Sequence, residues 1–385
     1  MALDRRRALT ARLRRSGVLT EAAWLAAFEA VPRETFLSRF FVPVGGGWRA
    51  VARGDDGWLD QVYTDQVLVT QLDGDESAWD RARAGDVVTG TPTCSSSMPT
   101  IMAIMLEALR TGERARVLEI GTGTGYNTAL LCHRVGAANV STVDIDGALV
   151  RTAGAALAEA GYAPESVTGD GARGLLGSAP FDRVLCTCAV SGIPPAWVEQ
   201  TRPGGLLVTT LNRPIGAGLV RLVAEEGGVA HGRVLSQDGR FMPLRAHRHA
   251  DPGDLLAEVR DTEAGHSRRT SLPASAVLSP SSPLEFFASL ELEGVLPAYP
   301  GDDGVVYLLH PDGSWVRHAE RNGRYSVAQG GPRFLWDLAE QARVRWRKLG
   351  KPGRSRFGVT VDGERQEFWL DEPGSPHRWR LGAVL

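Results

Sequence analysis

Apolar positions fall first at helical spacing. Leu9 and Leu13 stand four apart in an arginine-rich segment, and Ser16-Gly17 closes that helix. A second helix is predicted from Thr20, as N-cap, through Trp24, Leu25 and Phe28 to a stop at Val31-Pro32. Residues 41–90 are rich in Gly and Asp, with short apolar runs such as Val67-Leu68-Val69, and predict two strands or a lid-like segment. From Met98 strand and helix alternate. Helices are predicted over 101–109, 127–135, 148–160 and 195–201, and strands over 116–120, 140–145, 166–168, 181–187 and 206–211. That alternation predicts an α/β fold with a parallel sheet covered on both faces.

After about residue 246 the style changes. Pro273, Pro280, Pro283, Pro297 and Pro300 punctuate a Ser-rich stretch with one short helix, 284–290, N-capped by Ser282. Hairpins are predicted over 305–318, turning at Pro311-Asp312-Gly313, and over 359–370, turning at Asp362-Gly363. A helix over 332–349 lies between them, with Gly350 just past its end. The expected organisation is a substrate-side segment over 1–90, a catalytic core over 91–246 and an α+β extension over 247–385.

Composition narrows the class. At 385 residues, 43% hydrophobic and 23% charged, the chain has the make-up of a globular protein of two domains. A net charge of -2 gives no bulk attraction for nucleic acid. Cys94, Cys132, Cys186 and Cys188 form neither a disulfide framework nor a paired zinc pattern, which points to a reducing, cytoplasmic compartment. No apolar run approaches membrane-spanning length, so no membrane association is expected. His247-Arg248-His249 lacks a carboxylate or thiol partner, and no metal is expected.

Chemistry concentrates at Gly121-Thr122-Gly123-Thr124-Gly125, which follows a strand and opens a helix. Such a turn lets backbone approach a ligand and offers unpaired N–H groups, although a ligand-free βα turn would read alike. Tyr126 stands where a dinucleotide fingerprint needs glycine, which argues against a nicotinamide oxidoreductase. Asp144 and Asp170 each close a successive strand, so with Glu119 three carboxylates converge on one crevice. Asp146 reads as a helix N-cap.

The spacing G-x-G-x-G after Glu119 resembles the first motif of class I S-adenosylmethionine-dependent methyltransferases. The stretches VLEIGTGTGYNTALL, VSTVDID, GDGARG and APFDRVLCTCAVSGIPPAWVEQTRPGGLLV resemble the protein-L-isoaspartate O-methyltransferase family segment by segment. So do Val31-Pro32-Arg33-Glu34-Thr35-Phe36, Tyr63-Thr64-Asp65 and the loop Ser95-Ser96-Ser97-Met98-Pro99. The resemblance covers roughly residues 20–245. It implies a doubly wound Rossmann-like sheet and S-adenosyl-L-methionine as cofactor, with S-adenosyl-L-homocysteine as product. The implied cofactor contacts are Glu119, Gly121, Thr122, Gly123, Asp144, Asp170 and Gly171. The implied active-site hydroxyl is Ser97, or Ser96 if the loop is shifted by one.

The missing base agrees with that chemistry. A carboxylate ionises near ~4 and is already a nucleophile at neutral pH. Such an enzyme needs alignment and exclusion of water more than proton transfer. The segment after the fourth core strand lacks the acid-or-amide, Pro-Pro, aromatic constellation of base-modifying amino-methyltransferases. Two features depart from a housekeeping repair enzyme: the loop Thr93-Cys94-Ser95-Ser96 and the extension. Extended relatives of this kind methylate aspartate in cyclised ribosomal peptides, leading to aspartimide and isoaspartate. The expected partner is accordingly an acidic, already cyclised peptide, with isoaspartate repair of damaged proteins as the alternative. Eight basic residues (Arg333, Arg343, Arg345, Arg347, Lys348, Lys351, Arg354 and Arg356) stand against Asp337 and Glu340. Helix-dipole matching and acidic-peptide docking, with Trp336 and Trp346 in contact, both account for them.

Overall fold

The computed structural model describes residues 1–248, 251–260, 262–301, 304–363 and 365–381, in two compact units. The first comprises Met1–Cys188, Pro194–Thr209 and Arg221–Ala230. The second comprises Ala189–Ile193, Thr210–Val220 and His231–Leu385.

The first unit opens with α1 (Ala2–Arg15) and α2 (Ala22–Ala30). The second helix is N-capped by Glu21, not Thr20. Thr20 instead donates its N–H and hydroxyl to the Glu107 carboxylate, 87 residues on. Residues 41–90 hold more than two strands. They form most of a four-stranded antiparallel sheet, β1 (Arg39–Val44), β2 (Gly47–Ala52), β3 (Leu68–Leu72) and β4 (Pro92–Ser96), in the order β2-β1-β3-β4. α3 (Trp58–Val62) and α4 (Ser77–Arg83) fill the connections. Ala78 and Ala82 of α4 pack on Phe41, Val69 and Leu72, which gives this sheet a core of its own.

The alternating region follows the predicted order. α5 (Pro99–Leu109) starts with proline at its first position and ends at Arg110 in the left-handed region, φ 46°. β5 (Val117–Ile120) is buried along its whole length, as a central parallel strand must be. Then come α6 (Tyr126–Val135), β6 (Val140–Asp144), α7 (Gly147–Glu159), β7 (Glu165–Thr168), β8 (Phe181–Val190), α8 (Pro195–Glu199) and β9 (Thr201–Asn212). Their sheet order is β9-β8-β5-β6-β7, with β5 parallel to both β6 and β8. The chain leaves β5 to one side and returns on the other, which opens a crevice at the carboxyl end of β5. α2 packs on α6, and Phe28 and Phe36 meet Tyr126.

β10 (Ala217–Ala224) and β11 (Val229–Val234) form a hairpin that the sequence reading passed over. The second unit is not set off at residue 246: its longest segment starts at His231, and it also includes Thr210–Val220 and Ala189–Ile193, the latter tied to it by hydrogen bonds. Ala189 donates to Met242 O and accepts from Leu244 N, while the Gln366 side chain bonds both N and O of Ile193. Further elements of this unit are α9 (Pro252–Val259), β12 (His266–Thr270), α10 (Ala274–Leu278), α11 (Glu285–Glu291), β13 (Leu296–Ala298), β14 (Val305–Leu309), β15 (Trp315–Arg321), β16 (Arg324–Gly330), α12 (Leu335–Lys348), β17 (Phe357–Asp362), β18 (Arg365–Leu370) and β19 (Arg378–Arg380). β12 to β16 make a five-stranded sheet, and β17–β18–β19 an antiparallel meander. Both predicted hairpins form, the first at its predicted turn; in the second Asp362 still pairs with Arg365, so the chain turns one residue later than Asp362-Gly363 predicts. Phe286 and Phe287 of α11 pack edge-on against Phe357, Phe368 and Trp379.

Trp336 and Trp346 are core residues, not docking contacts. Trp336 is 0% exposed and Trp346 9%. Their indole N–H groups are spent on Thr270 Oγ1 and Pro352 O. Four of the eight basic residues are neutralised within the unit: Arg333 by Asp312, Arg345 by Glu291, Arg354 by Asp238, and Arg356 by Asp371. Among the described residues no helix is long and apolar enough to cross a membrane.

Trp336→Ala is therefore expected to lower stability by about 3–5 kcal/mol in denaturant titration, as for other buried aromatics. A surface docking residue would change it by roughly 0.5 kcal/mol or less.

Candidate functional site

The first unit brings the glycine turn, the strand-end carboxylates and the serine loop together. Gly121 has φ 93°, and a Cβ there would lie 2.8 Å from both Thr187 Oγ1 and Cys188 Sγ. Glycine is required at that point by the crowding of β8. Thr187 Oγ1 lies 3.2 Å from Ile120 O and donates to Gly121 O at 2.8 Å. Gly125, φ 86°, leads into α6, whose first-turn N–H groups face the crevice end of the strands.

Asp144 closes β6 half-buried. Its Oδ2 accepts from Gly123 N at 2.9 Å and its Oδ1 from Asp146 N at 3.1 Å. Asp146 caps α7, as its position predicts, and also accepts from Gln71 of β3. Ile145, between the two, is an apolar side chain left 46% exposed at the mouth of the strands. Asp170 is exposed and caps the 3-10 turn Gly171–Arg173. Gly171 is buried because a Cβ there would strike Ile120 Cγ2 at 2.6 Å.

Glu119 and Thr122 turn away from the crevice. Glu119 is fully buried and accepts from Asn127 Nδ2 at 2.7 Å, from Thr142 Oγ1 at 2.9 Å, and from the Thr128 hydroxyl. Thr122 Oγ1 lies 2.7 Å from Thr142 Oγ1 and extends that chain. These residues brace the turn from beneath. Burial pushes the Glu119 carboxyl up to about 7 despite its three donors. Asn127 Oδ1, beside the turn, is buried without a hydrogen-bond partner. An unsatisfied acceptor, a glycine-lined approach and a strand-end carboxylate fit the amino, sulfonium and ribose parts of S-adenosylmethionine. Asp144, bonded to Gly123 N, and the Gly121–Gly125 backbone are the groups that could hold it, with Ile145 and Asp170 exposed just past the neighbouring strands.

The serine loop meets this turn. A Cβ built on Gly123 would lie 3.7 Å from Cys94 Sγ and 3.8 Å from Ser95 O, so β4 runs directly against the turn. Ser96 ends β4 and is buried; Ser97 follows in the short connection to α5 and is half-buried. Asp65 fixes the start of α5 by accepting Thr100 N at 2.8 Å and Thr100 Oγ1 at 2.6 Å. Arg33 holds the other side. It donates to Val62 O, Thr64 O, Ser96 Oγ and Ser97 O at 2.8–3.3 Å. The V-P-R-E and Y-T-D motifs thus surround one loop, and Tyr63 donates to Glu34 to join them. Sequence reasoning took Arg33 and Asp65 as marks of resemblance and missed their place here.

His247 is buried and bonded to Ser191, and His249 lies outside the described residues. Among the described residues no group of three or more His, Cys, Asp or Glu side chains could hold a metal. Cys94 and Cys188 thiols are both driven up by their surroundings, Cys94 to about 12 by burial and Cys188 first by its Cys186 neighbour, so neither is a thiolate at neutral pH.

The family model for protein-L-isoaspartate(D-aspartate) O-methyltransferase (PCMT) matches residues 76–248. A protein-L-isoaspartate O-methyltransferase of Azorhizobium caulinodans is 40% identical over 151 residues, covering 39% of this chain and 68% of that protein. The Koribacter versatilis protein of the same name is 32% identical over 252 residues, covering 65% of this chain and 95% of its own. A solved protein-L-isoaspartate O-methyltransferase shares the fold with a TM-score of 0.53 at 21% identity, over 95% of this chain and 100% of its own.

The raised carboxyl of Glu119 makes stability pH-dependent. Below its unfolded value of about 4.5 it is protonated in both states and costs nothing. As pH rises towards the folded value of about 7, ionisation of the unfolded chain draws stability away. Glu119→Gln is expected to remove that loss, of order 3 kcal/mol, so that its stability no longer falls between pH 4.5 and 7. Unfolding titrations at pH 4.5, 6 and 8 read it, and a parallel fall in both proteins would refute it.

Proposed function

The chain belongs to the protein-L-isoaspartate O-methyltransferase family, and from that premise we propose that it methylates the free α-carboxylate of L-isoaspartyl residues in proteins or peptides. The coarser activity is that of an S-adenosylmethionine-dependent carboxyl O-methyltransferase. The observation that carries methyl transfer to a peptide carboxylate is the abutment of the serine loop on the glycine turn at Gly123; the isoaspartyl acceptor is supported by the relatives.

When bound, S-adenosylmethionine supplies an electrophilic methyl group on a positively charged sulfur. The chain's task is placement. Asp144 accepts from ribose hydroxyls, Asp170 from the adenine edge, and the Gly121–Gly125 backbone lets the cofactor lie close. Ser97 donates its hydroxyl to one oxygen of the acceptor carboxylate and leaves the other to attack. Ser96 holds the loop from behind. No side chain has to remove a proton, because the acceptor arrives ionised.

A second reading keeps the same residues but takes aspartate in a cyclised, acidic peptide as acceptor, with aspartimide as the sequel. It is favoured by the loop Thr93-Cys94-Ser95-Ser96, where the serine at 95 and cysteine at 94 depart from the repair pattern. The extension alone does not favour it, since the solved family fold spans 95% of this chain. In either case the second unit is the expected peptide selector. Its groove of about 680 Å³ is lined by Arg268, Asp337, Glu340, Arg343, Arg345 and Lys348 among others. Arg268 is paired with Asp337 and Glu340 and Arg345 with Glu291, so Arg343 and Lys348 carry its surplus positive charge.

Three measurements test these assignments. Mass spectrometry of a linear aspartyl, an isoaspartyl and a cyclised aspartyl peptide should show methylation of the isoaspartyl peptide first; preference for the cyclised peptide would install the second reading. Asp144→Ala should weaken S-adenosylmethionine binding by roughly 1.5–3 kcal/mol in calorimetry, and unchanged affinity would remove it from the site. Ser97→Ala should slow transfer far more than it weakens cofactor binding. If instead the rate survives and Ser96→Ala abolishes it, the loop is shifted by one residue.

A further inference from the structure

Arg33 is a wholly buried cation whose hydrogen-bond partners are all neutral. It follows the stop of α2 at Val31-Pro32, in the 3-10 turn Arg33–Thr35. Burial lowers its guanidinium only to about 10, so it stays charged at neutral pH. Its acceptors are Val62 O at 2.8 Å, Thr64 O at 3.0 Å, Ser97 O at 3.2 Å, Ser96 Oγ at 3.3 Å and, at the margin, Gln66 O at 3.5 Å. The Tyr126 ring lies 5.7 Å away, and Nε is buried without a partner. Asp65 is close enough to attract it but spends both carboxylate oxygens on Thr100.

Two facts separate this from an ordinary structural arginine. A buried cation is costly, and is usually offset by a carboxylate in direct contact. Here dipoles from only two segments, Val62–Gln66 and Ser96–Ser97, provide the offset. One segment is scaffold. The other is the loop whose next hydroxyl faces the acceptor in the proposed reaction. The positive charge, attracted by Asp65 but touched by no carboxylate, stands behind the loop that receives an anion in the proposed reaction.

We propose that Arg33 is a positioning residue for the acceptor carboxylate. It fixes the Ser97 carbonyl and the Ser96 hydroxyl so that the Ser97 hydroxyl is presented outward, and its charge favours an ionised acceptor. The assignment rests on Ser97 as the group that meets the acceptor. Only a planar fork can reach both segments at once, so a lysine keeps the charge but releases one of them. Ser96→Ala removes a single acceptor of the fork and leaves the cation in place.

The test is a double-mutant cycle of Arg33→Lys and Ser97→Ala in the full chain. It is read as kcat and KM for whichever of the three peptides is methylated. Calorimetric affinity for S-adenosylhomocysteine and the unfolding midpoint are measured alongside. Arg33→Lys should lower kcat/KM about tenfold or more, with the product affinity within about twofold, and should cost less than about twofold further in the Ser97→Ala background. An equal loss in both backgrounds, or product affinity falling in step with activity, would make Arg33 a scaffold residue only and overturn the proposal. If Arg33→Lys does not fold, Ser96→Ala goes through the same cycle, with the same non-additivity expected and plain additivity overturning it. Should Ser97→Ala alone leave the rate intact, the acceptor assignment itself fails, and with it the role given to Arg33. That outcome differs from an additive cycle, in which Ser97 stands and Arg33 falls.

Discussion

The reversal of strand order at β5 constrains everything placed around it. With β6 on one side and β8 on the other, the loops leaving β5 diverge and leave a crevice at its carboxyl end. The chain that emerges from Ile120 must pass between two neighbours. Crowding by Thr187 and Cys188 forbids a side chain at Gly121, and Ile120 itself forbids one at Gly171. Part of the glycine pattern is therefore demanded by the sheet before any ligand is considered. What the sheet does not demand is the open approach at Gly123, where the nearest neighbours are Cys94 and Ser95 of the serine loop. Glycine turn and serine loop meet there because the sheet has already cleared the space.

The site was legible in the sequence to the extent that position along a strand decides function. Asp144 ends β6 and Asp170 follows β7 by two residues, so both stand at the carboxyl ends of neighbouring strands whatever the adjacent side chains are. Direction was less legible. Glu119 and Thr122 occupy the expected turn but point to Thr142, on a strand 20 residues away, and that partner leaves no local trace. Arg33 was hidden more thoroughly. Most of its acceptors are backbone carbonyls, which any residue supplies, so no pattern of side chains could mark them.

The fold shows the same division. Most of the alternating segments from Met98 onward are legible because they bury an apolar face, as β5 does along its whole length, although β7 buries no residue fully. The N-terminal sheet did not, since β4 is Pro-Thr-Cys-Ser-Ser and looks like a loop until β3 pairs with it. The β10–β11 hairpin had a usable signal, two apolar runs around Glu225-Glu226-Gly227-Gly228, that was passed over. In the second unit the basic run was visible, but its acids were not. Glu291, Asp238, Asp312 and Asp371 lie 15 to 116 residues from the arginines they neutralise, and only the fold makes them partners.

Two buried ionisable groups of the first unit, Glu119 and Arg33, have no opposite charge in hydrogen-bond contact. Glu119, beneath the glycine turn, is held by an amide and two hydroxyls. Arg33, behind the serine loop, is held by carbonyls and a hydroxyl. Dipoles satisfy the hydrogen-bonding needs of an ion without cancelling its net charge, whereas an ion pair cancels most of it. Each field therefore extends beyond the first layer of neighbours, and does so strongly in a medium of low polarisability. Their states differ at neutral pH. Burial raises the Glu119 carboxyl to about 7, so it is only partly ionised, whereas Arg33 stays charged behind the loop that the proposed reaction gives to the anionic acceptor. A general base would add nothing to this arrangement, because the barrier to esterifying a carboxylate lies in bringing two oppositely charged, strongly hydrated groups into line and stripping their water. In the proposed reaction that requirement falls on the buried charge of Arg33 and on the hydrogen-bonding groups of the serine loop in front of it.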